Sequence, residues 1–241
     1  MIMKKNPLLI AALVSTILTG HSSALVPVNE NFNTNNLDPM VWYQYQTGKG
    51  RLVADKKKLS FEVLSKPTND DFASIELLTS QPGYNESWEL ILDLSNTSGL
   101  GFNAGCGIML FNVKDRSDYM FMEFYGKEGG VSAGVITNGE HVKKSSASVN
   151  PRVSKGSIRI RFDKNSKLLT LHVSPTDADE GYTWIKLGTF SPTGKGGDVN
   201  SNWRMKSGSG RFGVHLFGFA QNTKVPTGKA TLDNLIISPR P

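Results

Sequence analysis

Cysteine is nearly missing from this chain: Cys106 is the only one in 241 residues. With one thiol no internal disulfide forms, so the fold must rest on its buried apolar surface. Cys106 lies in the apolar run from Gly105 to Leu110 with no histidine set beside it by any motif, which reads as a buried structural thiol rather than a nucleophile. Long apolar runs are lacking too. The one near the amino terminus, Pro7 to Leu18, falls short of the roughly 20 residues that a bilayer span needs, so no membrane span is expected. The histidines are His21, His141, His172 and His215, and none sits two or four residues from another ligand, which leaves zinc and copper without a motif. Neither a Gly-x-Ser-x-Gly element nor a phosphate-binding loop is present. Aromatic-basic recognition motifs are absent as well, so nucleic acid is not an expected partner. Helical periodicity is almost wholly lacking, and there is no internal repeat.

What is present begins with a leader. Lys4 and Lys5 precede the apolar stretch, and Ser22, Ser23 and Ala24 follow it. Charged, apolar, small is the order of a secretory signal peptide, so residues 1–24 are expected to be cleaved and residues 25–241 to form one secreted or periplasmic domain. The formal net charge is +6, and the charges of Lys4 and Lys5 leave with the leader. The mild basic excess that stays admits an acidic polysaccharide as partner.

From residue 40 onward, short strand-like segments alternate with turns rich in glycine, asparagine and proline. About a dozen such strands predict an all-β fold, an antiparallel β-sandwich or barrel. Asn138-Gly139 is the strongest hairpin signal, since both residues tolerate the positive φ of a type I′ turn. Between Ser157 and Asp163 the apolar positions Ile158, Ile160 and Phe162 alternate with polar ones and are assigned to the core. The segment Tyr119 to Tyr125 differs, because both of its faces are largely apolar. That predicts a central strand, with Tyr119, Phe121, Glu123 and Tyr125 sharing one face. Ser191 to Ser209 reads as a long polar loop interrupted by Trp203, where no core periodicity calls for an aromatic.

Several features stand in a telling order: Glu30-Asn31-Phe32, Leu37 to Trp42, Gly50-Arg51-Leu52, Trp88 to Asp93, Gly107 to Phe111, Asp118 to Phe121, Gly210 to Val214 and Gly228 to Leu235. The series resembles the concanavalin A-like lectin and glucanase superfamily, nearest to its laminin G-like and related bacterial extracellular members. That resemblance implies a jelly-roll sandwich. It also implies that Trp42 and Trp184 are buried, and that a structural calcium would sit between the first and last strands, where Glu30 and Asp233 are the matching acidic positions. The fold hosts lectins, hydrolases, lyases and adhesion modules alike, so function has to come from the site.

Retaining glucanases of that superfamily carry Glu-x-Asp-x-Glu on one strand. The nearest match, Glu89 to Asp93, has Ile91 where the central carboxylate would be, so both acids read as exposed strand positions. If the chain were an enzyme, Glu123 with Glu76 across strands would be its acid pair, since each is set among apolar residues. Sugar recognition needs aromatic platforms beside hydrogen-bonding groups. Trp42, Tyr119, Tyr125, Trp184 and Trp203 are the candidate platforms, with Glu123, Arg159, Arg161 and His215 as polar partners. The leading expectation is a secreted, non-catalytic, lectin-like module that binds a polysaccharide or glycan. Its rivals are a glycan hydrolase or lyase and a structural or adhesion domain at the cell surface.

Overall fold

A computed structural model describes residues 24–55, 57–63, 71–101, 103–126, 130–147, 155–205, 210–221 and 228–241. The leader read over residues 1–24 lies outside them, Ala24 apart, as do residues 206–209 of the loop read from Ser191 to Ser209. None of the described helices is long and apolar enough to cross a membrane.

Two sheets carry the structure. Across the first, with seven strands, the order is β10 (Glu140–Ala147), β9 (Val131–Thr137), β8 (Asp115–Tyr125), β7 (Ala104–Asn112), β15 (Phe212–Ala220), β5 (Asp71–Leu77) and β2 (Trp42–Thr47). The second has nine: β14 (Val199–Asn200), β13 (Ile185–Ser191), β12 (Leu168–Ser174), β11 (Gly156–Asp163), β6 (Trp88–Ser95), β16 (Ala230–Pro239), β4 (Lys58–Val63) and β3 (Gly50–Asp55), with β1 (Val28–Glu30) also paired to β16. All pairings are antiparallel except β13 with β14.

The sixteen strands among the described residues exceed the dozen that periodicity suggests. The surplus comes from β1 and β14, of three and two residues, and from β2 and β13, whose side chains are mostly exposed or half-buried and so show no clean alternation. Where alternation is clean the expectation holds: Ile158, Ile160 and Phe162 are fully buried. The strand β8 is central, flanked by β7 and β9, and buries Met120, Met122 and Phe124 on its inner face. Asn138 (φ 51°) and Gly139 (φ 77°) make the two-residue turn between β9 and β10, with Thr137 opposite Glu140.

Between the sheets lies one continuous apolar core. Ile75, Cys106, Ile108, Leu110, Met122, Val214 and Leu216 enter it from the seven-stranded sheet, and Phe61, Leu90, Leu92, Ile160, Leu171 and Leu232 from the nine-stranded one. Burial pushes the Cys106 thiol up, so it stays protonated, as suits a packing residue.

Trp203 overturns its expected role. It is 0% exposed, with its ring 5.0 Å from that of Phe190 and 6.5 Å from that of Phe212, one from each sheet. Its Nε1 donates to the Ile136 carbonyl at 3.2 Å, and its own carbonyl accepts from Asn112 Nδ2 at 2.7 Å. The polar loop therefore folds back and uses its one aromatic to close an end of the sandwich. Trp184 errs the other way: Trp42 is buried as the resemblance implies, whereas Trp184 is only half-buried.

Candidate functional site

Strand alternation that sends Met120, Met122 and Phe124 inward sends Tyr119, Phe121, Glu123 and Tyr125 outward, and the register shows what lies beside them. One row across the outer face reads Tyr43, Glu76, His215, Met109, Phe121, Gly134. The next reads Tyr45, Ser74, Phe217, Gly107, Glu123, Ser132. Flanking these are Phe72, Phe219, Gly105 and Tyr125 on one side, and Gly213, Phe111, Tyr119 and Ile136 on the other. Tyr119, Glu123, Tyr125 and His215 thus share one sheet face, with aromatic rings contributed by five of its strands.

Glycines decide how those rings lie. A Cβ on Gly213 would fall inside the Phe111 ring, one on Gly134 inside the Phe121 ring, and one on Gly105 within 2.9 Å of the Phe219 ring. Each ring lies over a neighbouring glycine on the next strand, which lowers the rings onto the sheet and spreads the aromatic surface sideways. Two small clefts of about 120 and 250 Å³ are present, one lined by Gly134, Leu171, Phe190 and Val199 and the other by Leu25, Leu78 and Arg211. On the aromatic face Phe111 and Phe217 are buried, Phe72, Tyr119, Phe121, Tyr125 and Phe219 are half-buried, and Tyr43 and Tyr45 are exposed.

Its polar groups are anchored. Arg116 grips Glu76 with a two-pronged pair of hydrogen bonds, 2.9 and 2.7 Å, and His215 Nε2 lies 3.2 Å from Glu76 Oε2, though poorly aligned for a hydrogen bond. Phe111 bridges the two side chains, its ring 4.7 Å from the His215 ring and 4.7 Å from the Arg116 guanidinium. Burial pushes the Glu76 carboxyl up, but His215 and Arg116 outweigh it and hold the group below the ordinary carboxylate range. Glu123 is 6% exposed, opposite Ser132, whose buried hydroxyl has no partner among the described residues. Burial also pushes the Tyr119 hydroxyl up, so it remains a donor.

The proposed acid pair does not form. Glu76 on β5 and Glu123 on β8 are separated by β7 and β15, which puts their Cα atoms roughly 16 Å apart by strand spacing. Retaining and inverting glycosidases hold their carboxyl groups about 5 to 9.5 Å apart. Arg116 also occupies both Glu76 oxygens, which fits a charge-paired anchor rather than a nucleophile. Glu89 and Asp93 are on β6 in the other sheet. Asp93 is buried rather than exposed, accepting from Ser157 Oγ, the Ala178 amide and Asn234 Nδ2.

Arg159 and Arg161 are not part of this surface. Both face outward from β11 in the nine-stranded sheet, on the opposite side of the molecule from Glu123. The calcium pair also fails to assemble. Glu30 is in register with Leu235 and accepts the Phe32 amide at 2.7 Å, while Asp233 accepts the Asn234 amide at 2.8 Å. Each carboxylate closes its own turn, and among the described residues no three Asp, Glu, His or Cys side chains gather as cation ligands. These residues do not fit a calcium site. Sequence reasoning passed over Arg116, Phe111 and Ser132. Arg116 follows a turn and carries no motif, and only the pairing of β15 with both β5 and β7 reveals what it reaches.

No family model matches the chain, and no curated protein matches it either. Solved structures do. Lectin II from Ulex europaeus superposes with a TM-score of 0.59 at 11% identity, covering 91% of this chain and 100% of the lectin. A Bacillus licheniformis β-glucanase gives 0.56 at 12% identity, over 89% of this chain and 98% of the enzyme. The exoplasmic/lumenal domain of VIP36, in a Ca2+/Man3GlcNAc-bound form, gives 0.52 at 13% identity, over 89% and 88%. Identities this low speak for architecture alone, and on architecture they agree: the chain has the concanavalin A-like jelly-roll fold.

Proposed function

We propose that this chain is an exported, non-catalytic carbohydrate-binding module that takes a glycan across the outer face of its seven-stranded sheet. One observation carries the reading: Tyr119 and Tyr125 flank the buried Glu123 on a single strand face, within a field of low-lying aromatic rings. The apolar face of a pyranose stacks on such rings, and its hydroxyls need fixed acceptors and donors beside them. Glu123, Ser132, His215 and the Glu76–Arg116 pair are such groups, and the hydrogen bonds of the Glu76–Arg116 pair fix it before a ligand arrives. Support also comes from structural neighbours, among them lectin UEA-II complexed with galactose and the Man3GlcNAc-bound VIP36 domain. The separation of Glu76 from Glu123 favours binding over hydrolysis, and the amino-terminal leader pattern supports export.

A polysaccharide and glycan array probed with the purified mature chain tests the reading. Binding is expected, weakened about tenfold or more by Tyr125→Ala, as loss of a stacking platform and its contact area entails. A folded protein that binds no glycan refutes it. So does glycan binding left unchanged by both Tyr125→Ala and Glu123→Gln.

A further inference from the structure

The outer face of the nine-stranded sheet holds a cation with little to satisfy it. Arg159 is 8% exposed, yet among the described residues its guanidinium makes no hydrogen bond, and its Nε is buried without a partner. The carboxylate within 4 Å of it, Glu89 at 3.9 Å, is already gripped by Arg161. Its flanking positions add positive charge. Across the strands Arg159 stands beside His172, which stands beside Lys186, and Arg161 is two residues further along β11. Burial lowers the Arg159 pKa to about 10, with Arg161 and Arg240 acting in the same sense.

The surroundings are built rather than incidental. Trp184 lies over the guanidinium, 4.2 Å from it, and is backed by Tyr182 at 4.7 Å, whose hydroxyl meets Asn234 Nδ2. This aromatic wall fixes the plane of the fork and shields it from water. A buried ion lacking its hydrogen bonds is costly, so a fold that keeps one is expected to use it. His172 faces the same place, with Nδ1 buried and without a partner. Burial and the neighbouring arginines hold it neutral, so its imidazole can donate to an oxyanion without adding charge.

From this arrangement we infer that the outer face of the nine-stranded sheet carries an oxyanion-binding site, in which Arg159 supplies the fork, Arg161 and Lys186 the supporting charge, and Trp184 the wall. The group it takes is a sulfate or carboxylate, either free or borne on an acidic glycan. The site is on the opposite sheet from Tyr119 and Glu123 and stands or falls independently of glycan binding there.

Inorganic sulfate is the first probe, against chloride at matched ionic strength, with Arg159→Met as the control that removes sulfate's general salting effect. In chloride, Arg159→Met is expected to melt at or above the wild type, because an uncompensated buried cation has been replaced by an apolar group of similar length. Sulfate is then expected to raise the wild-type melting temperature saturably, and to protect Trp184, the one tryptophan not buried, from iodide quenching. Affinity should drop about tenfold or more in Arg159→Met, and fall in Arg159→Lys, which keeps the charge and loses the fork. Dextran sulfate compared with dextran separates the sources. Sulfated polymer binding more tightly than free sulfate, in competition with it, assigns an acidic glycan; free sulfate binding as well assigns a small anion, and either result upholds the site. An identical sulfate response in the wild type and Arg159→Met overturns it, as does a wild type that responds to neither probe.

Discussion

Replacing Trp203 by alanine tests the placement on which the loop and the core depend. The side chain is fully buried between Phe190 and Phe212, and it also donates a hydrogen bond to the Ile136 carbonyl. Truncating a core tryptophan costs about 3 to 5 kcal/mol through lost contacts and the cavity left behind. The orphaned carbonyl pushes the figure toward the upper end, since an unpaired buried acceptor costs about 1 to 3 kcal/mol by itself. For a domain of about 200 residues each kcal/mol moves the melting temperature by roughly 2 to 4 °C, so a drop of roughly 6 to 20 °C is expected. Thermal melting followed by circular dichroism reads it directly. Trp203→Phe keeps a ring and loses the N–H, and its loss should be the smaller of the two. Glycan affinity of the folded fraction should not change, because the ring does not reach the outer face. A Trp203→Ala protein melting within about 2 °C of the wild type would refute the placement.

Gly107→Ala should destabilise the sheet by about 3 kcal/mol, because the new Cβ would be driven into the Met122 carbonyl oxygen and to 2.7 Å from Glu123 Cα, both backbone atoms that cannot step aside. Gly139→Ala meets nothing within 4 Å and should cost only the strain of its positive φ, about 1 kcal/mol; urea midpoints of the two variants measure the contrast. His172 gives a pH dependence. Burial first, then Arg159, Arg161 and Lys186, press its pKa from 6.5 to about 4, so the unfolded chain binds the proton more readily than the folded one. Stability should be fully present above pH 6.5 and fall as the pH drops from 6.5 toward 4, and His172→Gln should flatten that part of the urea-midpoint profile.

Local alternation was enough to read much of this protein. The period of two placed Ile158, Ile160 and Phe162 inside and put Tyr119, Glu123 and Tyr125 on a shared face, since neighbouring side chains on a strand point to opposite sides whatever lies beyond it. Turn chemistry located the Asn138-Gly139 hairpin for an equally local reason. Which strands lie side by side is another matter, for that depends on pairings between distant segments. Tertiary structure alone set β15 between β5 and β7, which gave Glu76 to His215 and Arg116 and parted it from Glu123. It alone put Arg159 and Arg161 on the far sheet and left Trp184 half-exposed above Arg159. Trp203 shows the limit most plainly: no periodicity surrounds it, and its burial comes from a gap between Phe190 and Phe212 that exists only once both sheets are stacked.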